Sequence, residues 1–115
     1  MVKSKITPTQ VLQIRNILRL LGFNQSAYGT KLINKAVQYI ITNATEYFEL
    51  SNLYKYLANV TPFTFNQIAS LVTYATIHRN IQKSKHNFKK IFSYEYDDYI
   101  FTPKNIIEEI ANIVK

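Results

Sequence analysis

The sequence has 115 residues, a formal net charge of +7, no cysteine and only two glycines. This length supports one hydrophobic core, and the scarcity of glycine disfavours sandwiches, barrels and Rossmann-type units, which need more turns. The lack of cysteine excludes a disulfide framework and a thiolate metal site. We therefore expect residues 1–115 to form a single all-α domain, a compact bundle of about five to six helices.

Two helices are predicted in the first part of the chain. Thr7 is suited to be an N-cap and Pro8 a first helical residue, and the apolar stripe that follows should end at Gly22. The second helix is predicted to begin between Ser26 and Thr30 and to run through residues 31–42.

Residues 50–80 have the outline of a helix-turn-helix. A third predicted helix carries three core leucines, Leu50, Leu53 and Leu57. The sequence leaves open whether this helix joins the second one or is broken near Asn43. Pro62 cannot continue a helix, so a tight connection should separate the third helix from a fourth.

The fourth helix should begin at Thr64, which forms a capping-box pattern with Gln67. At 100° per residue, one face of this helix is apolar and carries Phe65, Ile68, Leu71, Val72 and Ala75. The opposite face is polar and nearly uncharged, and it carries Asn66, Gln67, Ser70, Thr73, Tyr74 and Ile77. In a helix-turn-helix the second helix reads base edges, so the candidate base-reading residues are Asn66, Gln67, Ser70, Thr73 and Tyr74.

A basic segment follows this helix. Residues 78–90 contain five basic side chains, two histidines and no acid. A phosphate-binding element would lie at this place, and the candidate phosphate-binding residues are Thr64, Arg79, Lys83, Lys85, Lys89 and Lys90. The alternative is a solvated face of an ordinary helix.

The last part of the chain is aromatic and acidic before it becomes helical again. Residues 93–101 lack helical periodicity and are predicted to form a loop or a short extended stretch that packs its tyrosines against the core. The final helix should have Thr102 as its N-cap and Pro103 as its first residue. Its predicted buried stripe consists of Ile106, Ile107, Ile110 and Ile113 or Val114.

The charges are unevenly distributed. Residues 1–45 and 50–94 each hold six basic side chains and no acidic one, whereas the last 21 residues hold five acids and two lysines. Most of the surface should therefore carry positive potential, which favours a polyanion or an acidic protein surface as the partner. A coding bias for lysine does not account for acids that are missing from one region only.

We expect a cytoplasmic protein without enzymatic activity, metal or cofactor. The N-terminus does not have the pattern of a secretory signal, and no run of 18 apolar residues is long enough to span a membrane. His78 and His86 have no carboxylate near them in the sequence, and the acidic group of Glu95, Asp97 and Asp98 has no histidine at ligand spacing. No nucleophile motif or phosphate-binding glycine loop is present.

The chain resembles the C-terminal DNA-binding domain of the sporulation initiation response regulator of endospore-forming bacteria. The resemblance begins in "LLGFNQSAYGTKLINKAV", where the second glycine follows the first by seven residues. It continues through "LSNLYKYLAN" and the Thr64 cap, and it resumes without gaps in "TPKNIIEEIANIV". It covers about residues 14–114 and implies an all-α fold of about six helices that holds a helix-turn-helix.

The resemblance also implies a changed target. Where this chain has Asn66, Gln67, Ser70, Thr73 and Tyr74, the family has a serine, three arginines and a histidine, respectively. The apolar positions of the helix coincide. Because each bidentate arginine contact contributes about 1 to 3 kcal/mol, this chain should not recognise the family's DNA box. The resemblance does not include the family's receiver domain, so a phosphorylation switch is not expected.

Two hypotheses remain open from the sequence. The first is a stand-alone DNA-binding regulator, or a phage or plasmid maintenance factor, that reads double-stranded DNA through asparagine, glutamine, serine and threonine. A homodimer would then supply a second half-site. The second is a protein-binding module on the same scaffold, with Phe65, Tyr74 and Ile77 as anchors that dock on a host or regulatory protein.

Overall fold

In a computed structural model, which describes residues 5–43 and 48–114, the chain forms six α-helices and no strand over these residues. The helices are α1 (Pro8–Leu20), α2 (Tyr28–Thr42), α3 (Leu50–Val60), α4 (Phe65–Ile77), α5 (Ile81–Phe92) and α6 (Pro103–Val114). A 3-10 turn, Asp98–Ile100, precedes α6. The predicted all-α bundle is confirmed. Because α2 ends at Thr42, it is a separate helix from α3; residues 44–47 of the predicted third segment lie outside the described residues.

Reciprocal caps determine where α1 and α4 begin. Thr7 and Thr64 each accept a hydrogen bond from the backbone N–H three residues later, and the side chains of Gln10 and Gln67 accept the N–H of the capping threonine. Each capping box satisfies two N–H groups that have no partner within the helix. The predicted starts of both helices are confirmed.

The core is one continuous cluster, to which all six α-helices contribute buried apolar side chains. Helix α2 lies at its centre and contacts α1, α3, α4 and α6. It approaches α4 closely at Gly29, where an added Cβ would lie 2.0 Å from the carbonyl oxygen of Leu71 and 2.7 Å from the Cβ of Ala75. The glycine therefore permits the backbone contact that positions α4.

The end of α1 is bonded to the junction between α4 and α5. Gly22 has a φ of 90°, and its carbonyl accepts the backbone N–H of Asn80 at 2.8 Å. The Asn80 side chain in turn accepts the N–H of Lys83 at 3.1 Å and caps α5. These bonds fix the direction in which α5 leaves α4.

The segment between α5 and α6 differs from its prediction in one respect. Tyr96 is half-buried, and its ring centroid lies 5.3 Å from that of Phe88, as expected for a core contact. Tyr99, in contrast, is 85% exposed and is not packed against the core. Tyr99 lies within the 3-10 turn Asp98–Ile100, which the sequence pattern did not reveal, and in this turn its side chain is directed outward.

Tyr54 of α3 is a buried tyrosine whose hydroxyl has no hydrogen-bond partner in the described part of the chain. The residue is 4% exposed, and its ring centroid lies 5.8 Å from that of Phe65. Burial raises the pKa of Tyr54 to about 12 because the phenolate would lose its hydration.

We expect Tyr54→Phe to leave the free energy of unfolding unchanged or to raise it by up to about 1 kcal/mol, since it removes an unsatisfied hydroxyl. The pKa of Tyr54 in the folded state lies above the ordinary tyrosine pKa of 10.0, so the wild type should lose stability as the pH rises from 10 towards 12. The variant should lack this part of the loss. Urea unfolding at pH 7 and pH 11 measures both effects, with the exposed Tyr28→Phe as the control. A free energy of unfolding that is lower in Tyr54→Phe than in the wild type by more than about 1 kcal/mol at pH 7 would contradict the expectation.

Candidate nucleic-acid interface

The candidate interface is the face of α4 that points away from the core. The six side chains predicted for this face are all exposed: Asn66, Gln67, Ser70, Thr73, Tyr74 and Ile77. On the other side Ile68, Val72 and Ala75 are buried, whereas Phe65 lies near the edge and is partly exposed. Thr76 is also buried, which its polarity did not suggest; its hydroxyl donates to the carbonyl of Val72 at 2.9 Å.

The side chains of this face differ in how free they are to bind. Asn66, Ser70 and Thr73 make no side-chain hydrogen bond within the described residues, so their donors and acceptors are available. Gln67 is different, because its Oε1 accepts the N–H of Thr64 at 2.9 Å. A bidentate contact with adenine needs both the oxygen and the nitrogen of the amide. Gln67 can therefore offer only its N–H donors while the cap is intact.

The C-terminal end of the face is apolar and aromatic. The ring centroids of Tyr74 and His78 lie 4.0 Å apart, with an angle of 34° between the rings. Ile77, in the same turn, is 62% exposed, and Ile81 at the start of α5 is exposed as well. The face thus changes along α4 from free amide and hydroxyl groups to apolar surface.

The structure speaks against the prediction that Arg79 binds phosphate, because its guanidinium is buried and bonded within the chain. The residue is 8% exposed. Its guanidinium donates three hydrogen bonds, to Ser84 Oγ at 2.9 Å, to the carbonyl of Thr76 at 2.9 Å and to the hydroxyl of Tyr96 at 3.0 Å. It also lies 3.7 Å from the ring centroid of Phe101. Arg79 therefore connects α4, α5 and the segment before α6.

The predicted lysines lie on α5, which directs Ser84, Phe88 and Phe92 inward. All four are exposed: Lys83, Lys85, Lys89 and Lys90. The Nζ of Lys89 lies 2.8 Å from the Oε1 of Glu95, and this hydrogen bond, together with the carboxylate charge, raises the pKa of Lys89. The charge of Lys89 is partly compensated by Glu95, so Lys83, Lys85 and Lys90 are the more available cations of this helix.

Sequence reasoning missed a second group of cations near α4. Lys31 and Lys35 of α2 line an apolar groove of about 440 Å³ together with residues 61–63. Phe63 also lines a neighbouring cavity, whose other walls include Asn66 and Ser70. The lysines of α2 therefore adjoin the N-terminal half of the α4 face. Their spacing places them on one side of α2, but only the crossing of α2 and α4 places them beside the interface.

Comparisons of the chain with protein-family models, curated proteins and solved structures find no match. Within residues 5–43 and 48–114, no group of three or more His, Asp or Glu side chains is arranged to hold a metal ion. None of the helices in these ranges is long and apolar enough to cross a membrane.

Proposed function

We propose that this chain binds double-stranded DNA as a helix-turn-helix protein and acts as a transcriptional regulator or as a phage or plasmid maintenance factor. Helices α3 and α4 are joined by residues 61–64, and α4 is the recognition helix. The observation that carries the proposal is the exposed face of α4, where Asn66, Ser70 and Thr73 have free hydrogen-bonding groups on a chain of net charge +7.

The side chains on this face suit a particular kind of readout. Asn66 offers an oxygen and a nitrogen, which is the pair needed to bind adenine at its N6 and N7 atoms. Ser70 and Thr73 can bond to either kind of base edge, and the methyl group of Thr73 can contact the methyl group of a thymine. We therefore propose a preference for AT-rich sites and a specificity unlike that of the sporulation regulators that the sequence resembles.

Two groups of lysines support the phosphate contacts that such a helix needs. Lys83, Lys85 and Lys90 lie on the helix after α4, and Lys31 and Lys35 lie beside its N-terminal half. Positive side chains on both flanks of a recognition helix fix its register on the duplex without reading sequence. A second copy on an adjacent half-site would add the selectivity that one helix lacks.

DNA binding should therefore depend steeply on salt. The logarithm of the association constant should fall linearly with the logarithm of the salt concentration. Replacing Lys83 and Lys90 by alanine should make this slope less steep by about 2, because each phosphate contact contributes about 0.9. A titration with random duplex DNA at several salt concentrations measures this slope. Lys5→Ala, which removes an exposed cation ahead of α1, is the matched control. Failure of the wild type to bind duplex DNA at low salt would refute the proposal.

Base readout is tested separately. Sequencing of the fragments that the protein retains from a random pool should yield an AT-rich site. Asn66→Ala should weaken binding to that site by about 1 to 3 kcal/mol and relax the preference at one position. Asn112→Ala, at an exposed asparagine of α6, should change neither the affinity for that site nor its base preference. If Asn66→Ala lost the same affinity for the selected site and for random DNA, Asn66 would be excluded as a base-reading residue.

A second candidate function is a protein-binding module. It is favoured by the exposed apolar end of the α4 face, where Tyr74 and Ile77 are both 62% exposed. Exposed aromatic and branched side chains of this kind act as anchors in protein interfaces. Affinity capture from a host lysate with nuclease treatment tests it. This candidate function predicts that a partner protein remains bound after nuclease treatment and is not captured by the Tyr74→Ser variant.

A further inference from the structure

Tyr99, in the 3-10 turn before α6, is an exposed aromatic side chain on an ordered backbone. The residue is 85% exposed, and its side chain makes no hydrogen bond and no ring contact in the described part of the chain. The backbone beneath it is nevertheless fixed, since its N–H donates to Asp97 Oδ1 at 3.0 Å and its carbonyl accepts from Asn105 Nδ2 at 3.1 Å. Because this backbone is already ordered, burial of the ring by a partner costs side-chain entropy but no ordering of the backbone.

The surroundings of Tyr99 specify the chemistry of the surface it fits. Asp97 and Asp98 directly precede Tyr99 in the chain, and both are exposed. Asp98 lies 3.7 Å from the guanidinium of Arg79, but its side chain is 81% exposed, so its charge remains accessible to a partner. The complementary surface is an apolar groove with cations at its rim.

The same chain has such a groove between α2 and the α3–α4 connection. Its walls are apolar, formed by Tyr28, Leu32, Pro62 and Phe63, and Lys31 and Lys35 lie on its α2 side. Its volume of about 440 Å³ is in the range of pockets that enclose a ligand group. The ring centroids of Tyr28 and Phe63 are 5.3 Å apart, so the groove already has an aromatic wall on which a third ring can pack.

A copy of the chain cannot fill its own groove with Tyr99. The segment before α6 is held by Arg79, by Lys89 of α5 and by Asn105 of α6. None of its described hydrogen bonds, ion pairs or ring contacts goes to α2 or to residues 61–63. The anchor and the groove are therefore separate surfaces of one molecule.

We propose that Tyr99 of one copy inserts into the groove of a second copy, with Asp97 and Asp98 facing Lys31 and Lys35. Because different surfaces meet, the contact is of the head-to-tail type. It does not require DNA, so it is tested independently of the proposed function. In a self-associated copy, Lys31 and Lys35 would be occupied by the neighbouring copy, so its phosphate contacts would come from the lysines of α5.

Sedimentation equilibrium without DNA, over a concentration series up to about 1 mM, tests the contact. The average mass of the wild type should rise above the monomer mass of 13.4 kDa. Tyr99→Ser and the double variant Lys31→Glu/Lys35→Glu should each raise the dissociation constant at least about tenfold, because each removes one half of the contact. Circular dichroism verifies that both variants are folded.

An equimolar mixture of the two variants is the decisive sample. One variant keeps its groove and the other keeps Tyr99, so the mixture should form a 1:1 complex with the wild-type dissociation constant. Leu12→Ser and Arg15→Glu/Arg19→Glu, which make matched changes at exposed positions of α1, should associate like the wild type. A mixture that stays monomeric, or controls that weaken association equally, would overturn the proposal. So would a monomeric wild type, which would leave the groove to an acidic segment of another protein.

Discussion

Gly29→Ala is expected to destabilise the protein by about 2 to 4 kcal/mol. In an ordinary helix the same change is stabilising by about 0.5 to 1 kcal/mol, because glycine has the larger conformational freedom in the unfolded chain. Here the added methyl group would lie 2.0 Å from the carbonyl oxygen of Leu71. Because this atom belongs to the backbone of α4, the clash can be relieved only by moving the two helices apart.

Thermal and urea unfolding of Gly29→Ala measures this effect. A second variant, Gly29→Ala/Ala75→Gly, removes the 2.7 Å contact with the Ala75 side chain but leaves the contact with the Leu71 carbonyl. We expect it to remain destabilised. Ser51→Ala, at an exposed position of α3, is the control for the effect of an alanine in a helix. A Gly29→Ala protein as stable as the wild type would show that α2 and α4 do not cross this closely.

Arg79→Ala should also be strongly destabilising, by about 2 to 4 kcal/mol. The substitution removes three hydrogen bonds and the contact with Phe101, and it leaves the buried carbonyl of Thr76 without this donor. Arg79→Lys should recover little of this loss. A lysine ammonium cannot reproduce the planar fork that reaches Ser84, Thr76 and Tyr96 together.

Two measurements separate this structural role from binding to phosphate. The first is unfolding of Asp98→Asn, which should cost less than about 1 kcal/mol because the Asp98 side chain is 81% exposed and its charge is screened by water. The second is the salt dependence of DNA binding by Arg79→Ala at a temperature where it remains folded. We expect the slope to equal that of the wild type. Normal stability with a slope reduced by about 1 would restore Arg79 as a phosphate contact.

Helix starts and the faces of α4 could be predicted from the sequence because they depend on neighbours a few residues away. Thr7, Thr64 and Thr102 each accept a hydrogen bond from the backbone three residues later, so the capping pattern identifies all three starts. The exposed face of α4 follows from the helical period alone. The same local logic explains the all-α fold, since few positions in the chain favour turns.

The role of each cation was decided by the tertiary structure. Arg79 and Lys83 belong to one basic segment, yet Arg79 is buried by Tyr96 and Phe101, which lie 17 and 22 residues later. Lys31 adjoins the α4 face only because Gly29 lets α2 approach Leu71. A sequence pattern reports what a side chain is and which helical face it occupies. Its burial and its neighbours depend on how distant helices pack, because that packing determines whether a charge is hydrated or enclosed.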